Sequence, residues 1–228
     1  TFNLDAGTIT VWDNGGIPVQ KHKAHKEWIP EMIFTNLKAG SSFDDTKDRT
    51  TAGTNGVGAT LTNIFSNKFT IKTCDGKKRF EQYFTKNMSK RSTPKISDGQ
   101  RGFTEITYEP DLERFKMKVI DDKTYRILYK RCLDAAACNP RLYIHIHTIK
   151  DGKKTINKLK FKKFEEYIKL YTGEREYFYE ESKDWKVGFS SSTDGFTNVS
   201  FVNSVHTSDG GTHVDYINNQ LINHLRAM

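Results

Sequence analysis

The run Gly53-Thr54-Asn55-Gly56-Val57-Gly58 leads directly into the apolar-periodic stretch Ala59, Leu61, Ile64, Phe65, which reads as a glycine turn feeding a helix N-terminus. Such a turn has chemistry to offer. Glycines let the backbone approach an anion closely, and the free N–H groups of a helix start, reinforced by the helix dipole, bind phosphate oxygens without any lysine. No Lys-Ser or Lys-Thr pair follows Gly58, so this is not the common lysine-bearing phosphate loop; taken alone, a plain surface turn has the same signature. A carboxylate such as Asp13, in the turn Asp13-Asn14-Gly15-Gly16, can accept a hydrogen bond from the exocyclic amine of a purine, although aspartate is also an ordinary turn former. Thr104, at the start of a strand, could bridge to the same base through its hydroxyl or a water, or simply be a β-favouring threonine. His145 and His147 share one face of a strand at the spacing of a metal pair. No third ligand stands near them, and Leu142, Ile144 and Ile146 make the segment read as a half-exposed structural strand. No Ser-His-Asp order, activated cysteine or paired-carboxylate signature is present.

The elements that must position these residues follow from periodicity. Alternation from Thr8 to Trp12 predicts a strand ending in the Asp13 turn. Trp28, Ile29, Met32, Ile33 and Leu37 recur at helical spacing and predict a helix over 27–37. A polar, aperiodic loop covers Ser41–Ala52. Strands are predicted at 68–73, 79–85 and 103–109, then a helix from Asp121 to about Ala136, a strand at 142–148 and a helix at 161–170. From about Gly173 the texture becomes aromatic-rich, with strands at 176–180, 185–190 and 196–202, then Gly210-Gly211 and a helix through Val214, Ile217, Leu221 and Leu225. This divides the chain into residues 1–172 and 173–228, the second part thin for an independent core.

Bulk properties bound the class. The 228 residues are 36% hydrophobic and 12% aromatic, enough to fill a core. No apolar run approaches the roughly 20 residues of a membrane span, and no charged-then-apolar leader opens the chain, so neither membrane insertion nor secretion is expected. Cys74, Cys132 and Cys138 fit no zinc or redox spacing and suit reduced thiols in the cytoplasm. The net charge of +8, with lysine runs at 21–26, 86–95 and 150–163, suits work near a polyanion or a basic solvated surface.

Taken in order, the segments Ile9-Thr10-Val11-Trp12-Asp13-Asn14-Gly15-Gly16-Ile17-Pro18-Val19, Trp28-Ile29-Pro30-Glu31-Met32-Ile33-Phe34, Ser41-Ser42-Phe43-Asp44-Asp45, Asn55-Gly56-Val57-Gly58-Ala59, Asn63-Ile64-Phe65-Ser66, Thr104 to Leu112, Ser200-Phe201-Val202-Asn203-Ser204 and Gly210-Gly211-Thr212-His213-Val214-Asp215-Tyr216 resemble the ATPase region of type IIA DNA topoisomerases. The resemblance spans almost the whole chain. Its wording is nearer the eukaryotic branch than bacterial gyrase, with a bacteriophage member as the nearest expectation. It implies an α+β fold, the Bergerat α/β sandwich of the gyrase, chaperone and histidine-kinase superfamily with helices on one face of a mixed sheet, followed by the start of a transducer domain. It implies ATP and Mg2+ as cofactors, Asp13 on the adenine amine with Thr104 in support, and Ser41 and Ser42 at the sugar or phosphates. The backbone of Gly53, Thr54, Asn55, Gly56, Val57, Gly58 and Ala59 would wrap the triphosphate, and 43–52 would form a lid. Partners implied are double-stranded DNA, other topoisomerase subunits and a second copy through the ATPase gate.

Three departures qualify the resemblance. The turn has one residue fewer between Gly15 and Gly16 than the family pattern, and Thr60 stands where eukaryotic members often carry a lysine, removing a positive group from the phosphate loop. The family's general-base glutamate and magnesium-binding asparagine map upstream of Thr1, and its γ-phosphate lysine maps beyond Met228, so no catalytic residue or metal ligand is assigned within the chain and ATP turnover at background rate is expected of it. The competing readings are a basic DNA-binding module that uses no nucleotide, and another ATPase of the superfamily such as a mismatch-repair protein.

Overall fold

The computed structural model describes residues 1–39, 53, 55–193 and 195–228. They form two compact units. The first holds 1–39, Gly53–Arg126 and Ile146–Asn157, and the second holds Ile127–His145 and Lys158–Met228.

In chain order the elements are β1 (Phe2–Asn3), β2 (Thr8–Asp13), α1 (Ile29–Thr35), α2 (Gly58–Ile64), β3 (Ser66–Cys74), β4 (Lys78–Thr85), β5 (Lys90–Arg91), β6 (Lys95–Asp98), β7 (Phe103–Pro110), α3 (Asp122–Cys138), β8 (Ile144–Lys150) and β9 (Lys153–Leu159). They continue with α4 (Phe164–Thr172), β10 (Tyr177–Glu181), β11 (Lys186–Ser190), β12 (Phe201–Val202), β13 (Val205–His206) and α5 (Thr212–Ala227). The main sheet runs β5-β4-β3-β7-β2-β1-β8-β9, with β6 also on β4. Its described pairings are antiparallel except β1 with β8, which is parallel, so the sheet is mixed.

One face of this sheet is covered. Phe69 and Ile71 of β3 and Phe80 and Phe84 of β4 point the same way and pack with Phe34 of α1 and Val19, with Ile33, Ala59, Ile106 and Tyr108 at the margin. Alternation of side chains along a strand is the cause: β4 reads exposed, buried, intermediate, buried, exposed, buried from Arg79 to Phe84. The helices α1 and α2 are only seven residues each, too short to be stable by propensity, and packing on this apolar face holds them.

The second unit has its own core, Ala136 and Ala137 of α3 with Phe161 and Tyr167, flanked by Phe164 and Phe201. Of its predicted strands, 196–202 shrinks to Phe201–Val202, which turns back through Asn203 (φ 50°) and Ser204 (φ 67°) to pair with Val205–His206. Two consecutive left-handed residues make the tight turn whose twist suits a hairpin. Strand β9 escapes prediction because six of its seven residues are exposed, so no apolar alternation marks it. Its hairpin is fixed by the Asp151-Gly152 turn, whose amides both donate to the Asp5 carboxylate at 2.8 and 2.9 Å. Among the described residues no helix is long and apolar enough to cross a membrane.

Candidate functional site

Three strands bring the first predicted residues together. Asp13 of β2 pairs with Thr104 of β7, and Thr104 with Thr73 of β3. Cross-strand partners share a face, and alternation places Asp13 with Val11, Thr104 with Ile106 and Thr73 with Ile71, on the face that carries α1 and α2. Val11 is 57% exposed there, so this end of the core face is open.

The turn after Asp13 is held by hydroxyls. Asp13 Oδ1 accepts the Gly15 amide at 2.8 Å, leaving Oδ2 on an exposed residue. Thr104 is buried and donates its hydroxyl proton to the Gly15 carbonyl at 2.8 Å, while its Oγ1 lies 3.1 Å from that of Thr73. Thr73 in turn reaches the Phe103 carbonyl at 2.9 Å and accepts the Ile17 amide at 3.0 Å. Each hydroxyl has one proton, so in this geometry Thr104 is engaged in positioning the turn that presents Asp13. Sequence reasoning missed two members of this arrangement, Thr73 and Asp75. The Asp75 carboxylate accepts the amides of Val19, Lys77 and Lys78 at 3.0, 2.9 and 2.8 Å. Those bonds, that of Lys78 first, hold it below the usual carboxylate range. The turn pair Asp75-Gly76 was the available signal, but nothing local tells that its carboxylate also ties down residue 19.

The glycine turn lies on the same unit. Gly53 and Asn55 to Ala59 line a cavity of about 460 Å3 with Ile33 and Ala39. Gly56 has φ +58°, the left-handed conformation that glycine adopts freely. A Cβ placed on Gly53 or Gly58 would meet nothing within 4 Å, so the backbone there faces open space wide enough for an anion to approach. Asp13 and Thr104 do not line this cavity. Ser41, Ser42, Thr54 and the expected lid over 43–52 lie outside the described residues.

Thr60 stands where the family often carries a lysine. Its side chain is not turned to the cavity: it is 1% exposed, and its hydroxyl donates to the Asn36 carbonyl at 3.0 Å with Ile33 O at 3.4 Å. Asn63 does the same for Phe34 O at 3.0 Å. The two buried polar side chains of α2 thus satisfy the carbonyls that α1, ending at Thr35, leaves open, so Thr60 joins the two helices. Thr60→Val, which preserves shape but removes the donor, is expected to cost about 1–2 kcal/mol, read as a lower urea midpoint.

His145 and His147 stand on β8 as predicted, and among the described residues no group of three His, Cys, Asp or Glu could hold a metal ion. The three cysteines are free; burial, then Asp134, pushes the Cys138 thiol up to about 11, unlike an activated nucleophile. Cys138 borders a second cavity of about 510 Å3 within the second unit, between α4, β11 and α5.

Comparison with known proteins bears on the whole chain. The family model described as DNA gyrase B matches residues 146–228. The chain is 39% identical over 97% of its length to DNA topoisomerase 2 top-2 of Caenorhabditis elegans, and 38% identical over 99% to DNA topoisomerase 2-alpha of Gallus gallus. It spans about 15% of the length of each of these relatives. Among solved structures, the ATPase region of Saccharomyces cerevisiae topoisomerase II superposes with a TM-score of 0.84 at 36% identity, covering 99% of this chain and 60% of that one. The ATPase and transducer domains of DNA topoisomerase II from Balamuthia mandrillaris give 0.85 at 38%, with 99% and 58% covered.

Proposed function

Because this chain belongs, through its ATPase region, to the type IIA DNA topoisomerase family, we propose that it is the ATP-binding portion of an enzyme that couples ATP binding and hydrolysis to passage of one DNA duplex through another. The observation that carries this reading is whole-chain similarity to topoisomerase II ATPase regions in both sequence and fold. The open glycine turn beside α2 and the Asp13 turn on the same face of the sheet support it locally.

The residues fit a nucleotide. Bound ATP supplies a triphosphate whose charge is met by backbone amides. The turn Gly53, Asn55, Gly56, Val57, Gly58 and Ala59, with Thr54 by resemblance, would offer those amides at the start of a helix, where the dipole favours an anion, and its glycines lack the Cβ that would keep phosphate at a distance. Asp13 would accept the adenine amine, Thr104 and Thr73 would hold its turn, and Ser41 and Ser42 would meet sugar or phosphate. Mg2+ enters as the companion of the triphosphate. Among the described residues no group of three His, Cys, Asp or Glu could hold it. On the family plan 1–172 form the nucleotide-binding part and 173–228 begin the transducer. The partners in this reading are duplex DNA, the remaining topoisomerase subunits and a second copy across the ATPase gate.

Calorimetry with a non-hydrolysable ATP analogue tests the proposal. Removing a carboxylate that accepts a hydrogen bond from the base forfeits about 1.5–3 kcal/mol, so Asp13→Ala is expected to weaken binding roughly 10- to 150-fold while the thermal transition persists. Analogue binding equal in the two proteins, or absent from the wild type at millimolar concentration, sinks the reading.

A further inference from the structure

Two of the lysine runs that stand far apart in sequence are brought to one edge of the first unit. Residues 77–101 carry Lys77, Lys78, Arg79, Lys86, Lys90, Arg91, Lys95 and Arg101 against Glu81 and Asp98, and residues 21–26 carry Lys21, Lys23 and Lys26 with no acid. All eleven cations are exposed. The first group lies on the ribbon of β4, β5 and β6 at the end of the sheet. The second lies on a loop pinned to that ribbon from both sides: Val19 N–H donates to Asp75 at 3.0 Å, and the Trp28 ring packs 6.4 Å from that of Phe80. Phe80 pairs with Ile96 of β6, so the loop sits against the middle of the basic ribbon.

Few of these charges have an internal use. Arg91 meets Glu31 at 3.1 Å and Arg79 meets Glu81 at a long 3.9 Å, while Lys21 rests 5.7 Å over the Trp28 ring. Among the described residues, Lys23, Lys26, Lys77, Lys78, Lys86, Lys90, Lys95 and Arg101 make no salt bridge. Asp98 and Glu81 stand across the strand pair from Lys78 and Lys95, but eleven cations against these two acids leave an excess whose self-repulsion a polyanion relieves. Lys78, which opens β4, and Lys86, one residue past its end, are separated by about 26 Å at 3.3 Å per residue, the rise of seven or eight base pairs at roughly 3.4 Å each. The third run, 150–163, falls on β8 and β9 at the opposite end of the sheet order, away from this edge.

We infer that the ribbon β4–β6, together with the loop 20–28, is a phosphate-contact surface for the backbone of a DNA duplex. The inference rests on the proposed reading only for the choice of DNA over other polyanions. A surface of flexible lysines on a strand edge carries no base-reading geometry, so it holds the duplex without choosing sequence.

The test is fluorescence anisotropy of a labelled duplex of about 25 base pairs with the full 228-residue chain, between 50 and 200 mM salt. Each lost phosphate contact lowers the slope of log K against log salt by about 0.9. The quadruple variant Lys23→Gln, Lys77→Gln, Lys78→Gln, Lys95→Gln is therefore expected to lower the slope by about 3 to 4, equally for two unrelated sequences, with an unchanged melting transition. Lys153→Gln, Lys154→Gln, Lys158→Gln is expected to leave the slope as in the wild type. The inference is overturned if wild-type protein does not bind the duplex, if the quadruple variant retains the full slope, or if the β9 variant alone loses it. Equal displacement of duplex by heparin and by unlabelled duplex at matched charge concentration also counts against DNA as the occupant. Analogue binding measured on the same quadruple variant separates the two proposals. It stays intact if only this surface is affected, and its absence from wild type fails the nucleotide reading whatever the anisotropy shows.

Discussion

Gly16→Ala is expected to destabilise the first unit by about 3 kcal/mol and to abolish analogue binding with it. A Cβ on Gly16 would lie 2.1 Å from the Cys74 carbonyl oxygen and 3.0 Å from Asp75 Cα. Both obstacles are backbone, so relief requires the turn and the end of β3 to part, which is overpacking at its most costly. The parting also breaks what depends on that approach: the Thr73 bond to Ile17 and the Asp75 bond to Val19, and through them the placement of Asp13. The contrasting variant is Gly58→Ala, whose Cβ meets nothing within 4 Å. At the first position of α2 alanine is if anything the better helix former, so the fold is expected to survive while the analogue, crowded from the turn, binds more weakly. Urea unfolding followed by the fluorescence of Trp12 and Trp28, read beside calorimetry, separates the two effects. A Gly16→Ala protein with wild-type midpoint would show that the turn is not packed as described.

The second large effect concerns the other unit. Asp134 is 3% exposed, and its carboxylate accepts the Tyr167 hydroxyl at 2.6 Å and Lys130 at 2.8 Å, with Arg131 at 3.7 Å. Tyr167 is itself buried among Phe161, Phe164 and Phe201, and burial first, then the bond to Asp134, holds its hydroxyl far above the usual phenol range. Removing one partner of a buried, hydrogen-bonded ion pair costs about 3–5 kcal/mol. Lys130 can swing its ammonium to water, and Tyr167 keeps Tyr171 at 2.8 Å, so Asp134→Ala is expected near the lower end, about 3 kcal/mol. Asp134→Asn, which retains an acceptor for Tyr167, should cost less. Amide hydrogen exchange of α3 and α4 gives the readout for this unit alone, and unchanged protection in the alanine variant would show that the network does not support the core.

Much of this arrangement was legible in the residues. Alternation placed β2, β3, β4 and β7 within one or two residues, because a sheet with one covered face must alternate to bury Phe69, Ile71, Phe80 and Phe84. The helical repeat placed α3 and α5. The Gly53 to Gly58 turn announced itself because a backbone that must approach an anion or adopt φ > 0 admits few other residues. By contrast, β9 carries no apolar pattern, and of the expected strand 196–202 only Phe201–Val202 finds a strand partner, Val205–His206 across the Asn203-Ser204 turn.

What the sequence determined by itself is therefore local: which stretches bury a face, where the chain turns, and the succession of segments that marks the family. Only the tertiary structure decided which partners those side chains find. It set the Thr60 hydroxyl on the carbonyls at the end of α1, brought the Thr104 hydroxyl to the Gly15 carbonyl, made Asp75 the anchor of a residue 56 positions away, and tied the loop that carries lysines 21–26 to the β3–β4 turn. Periodicity records whether a side chain faces the core or the solvent, but the partner it finds depends on strand order and register, which arise from the packing of the whole sheet.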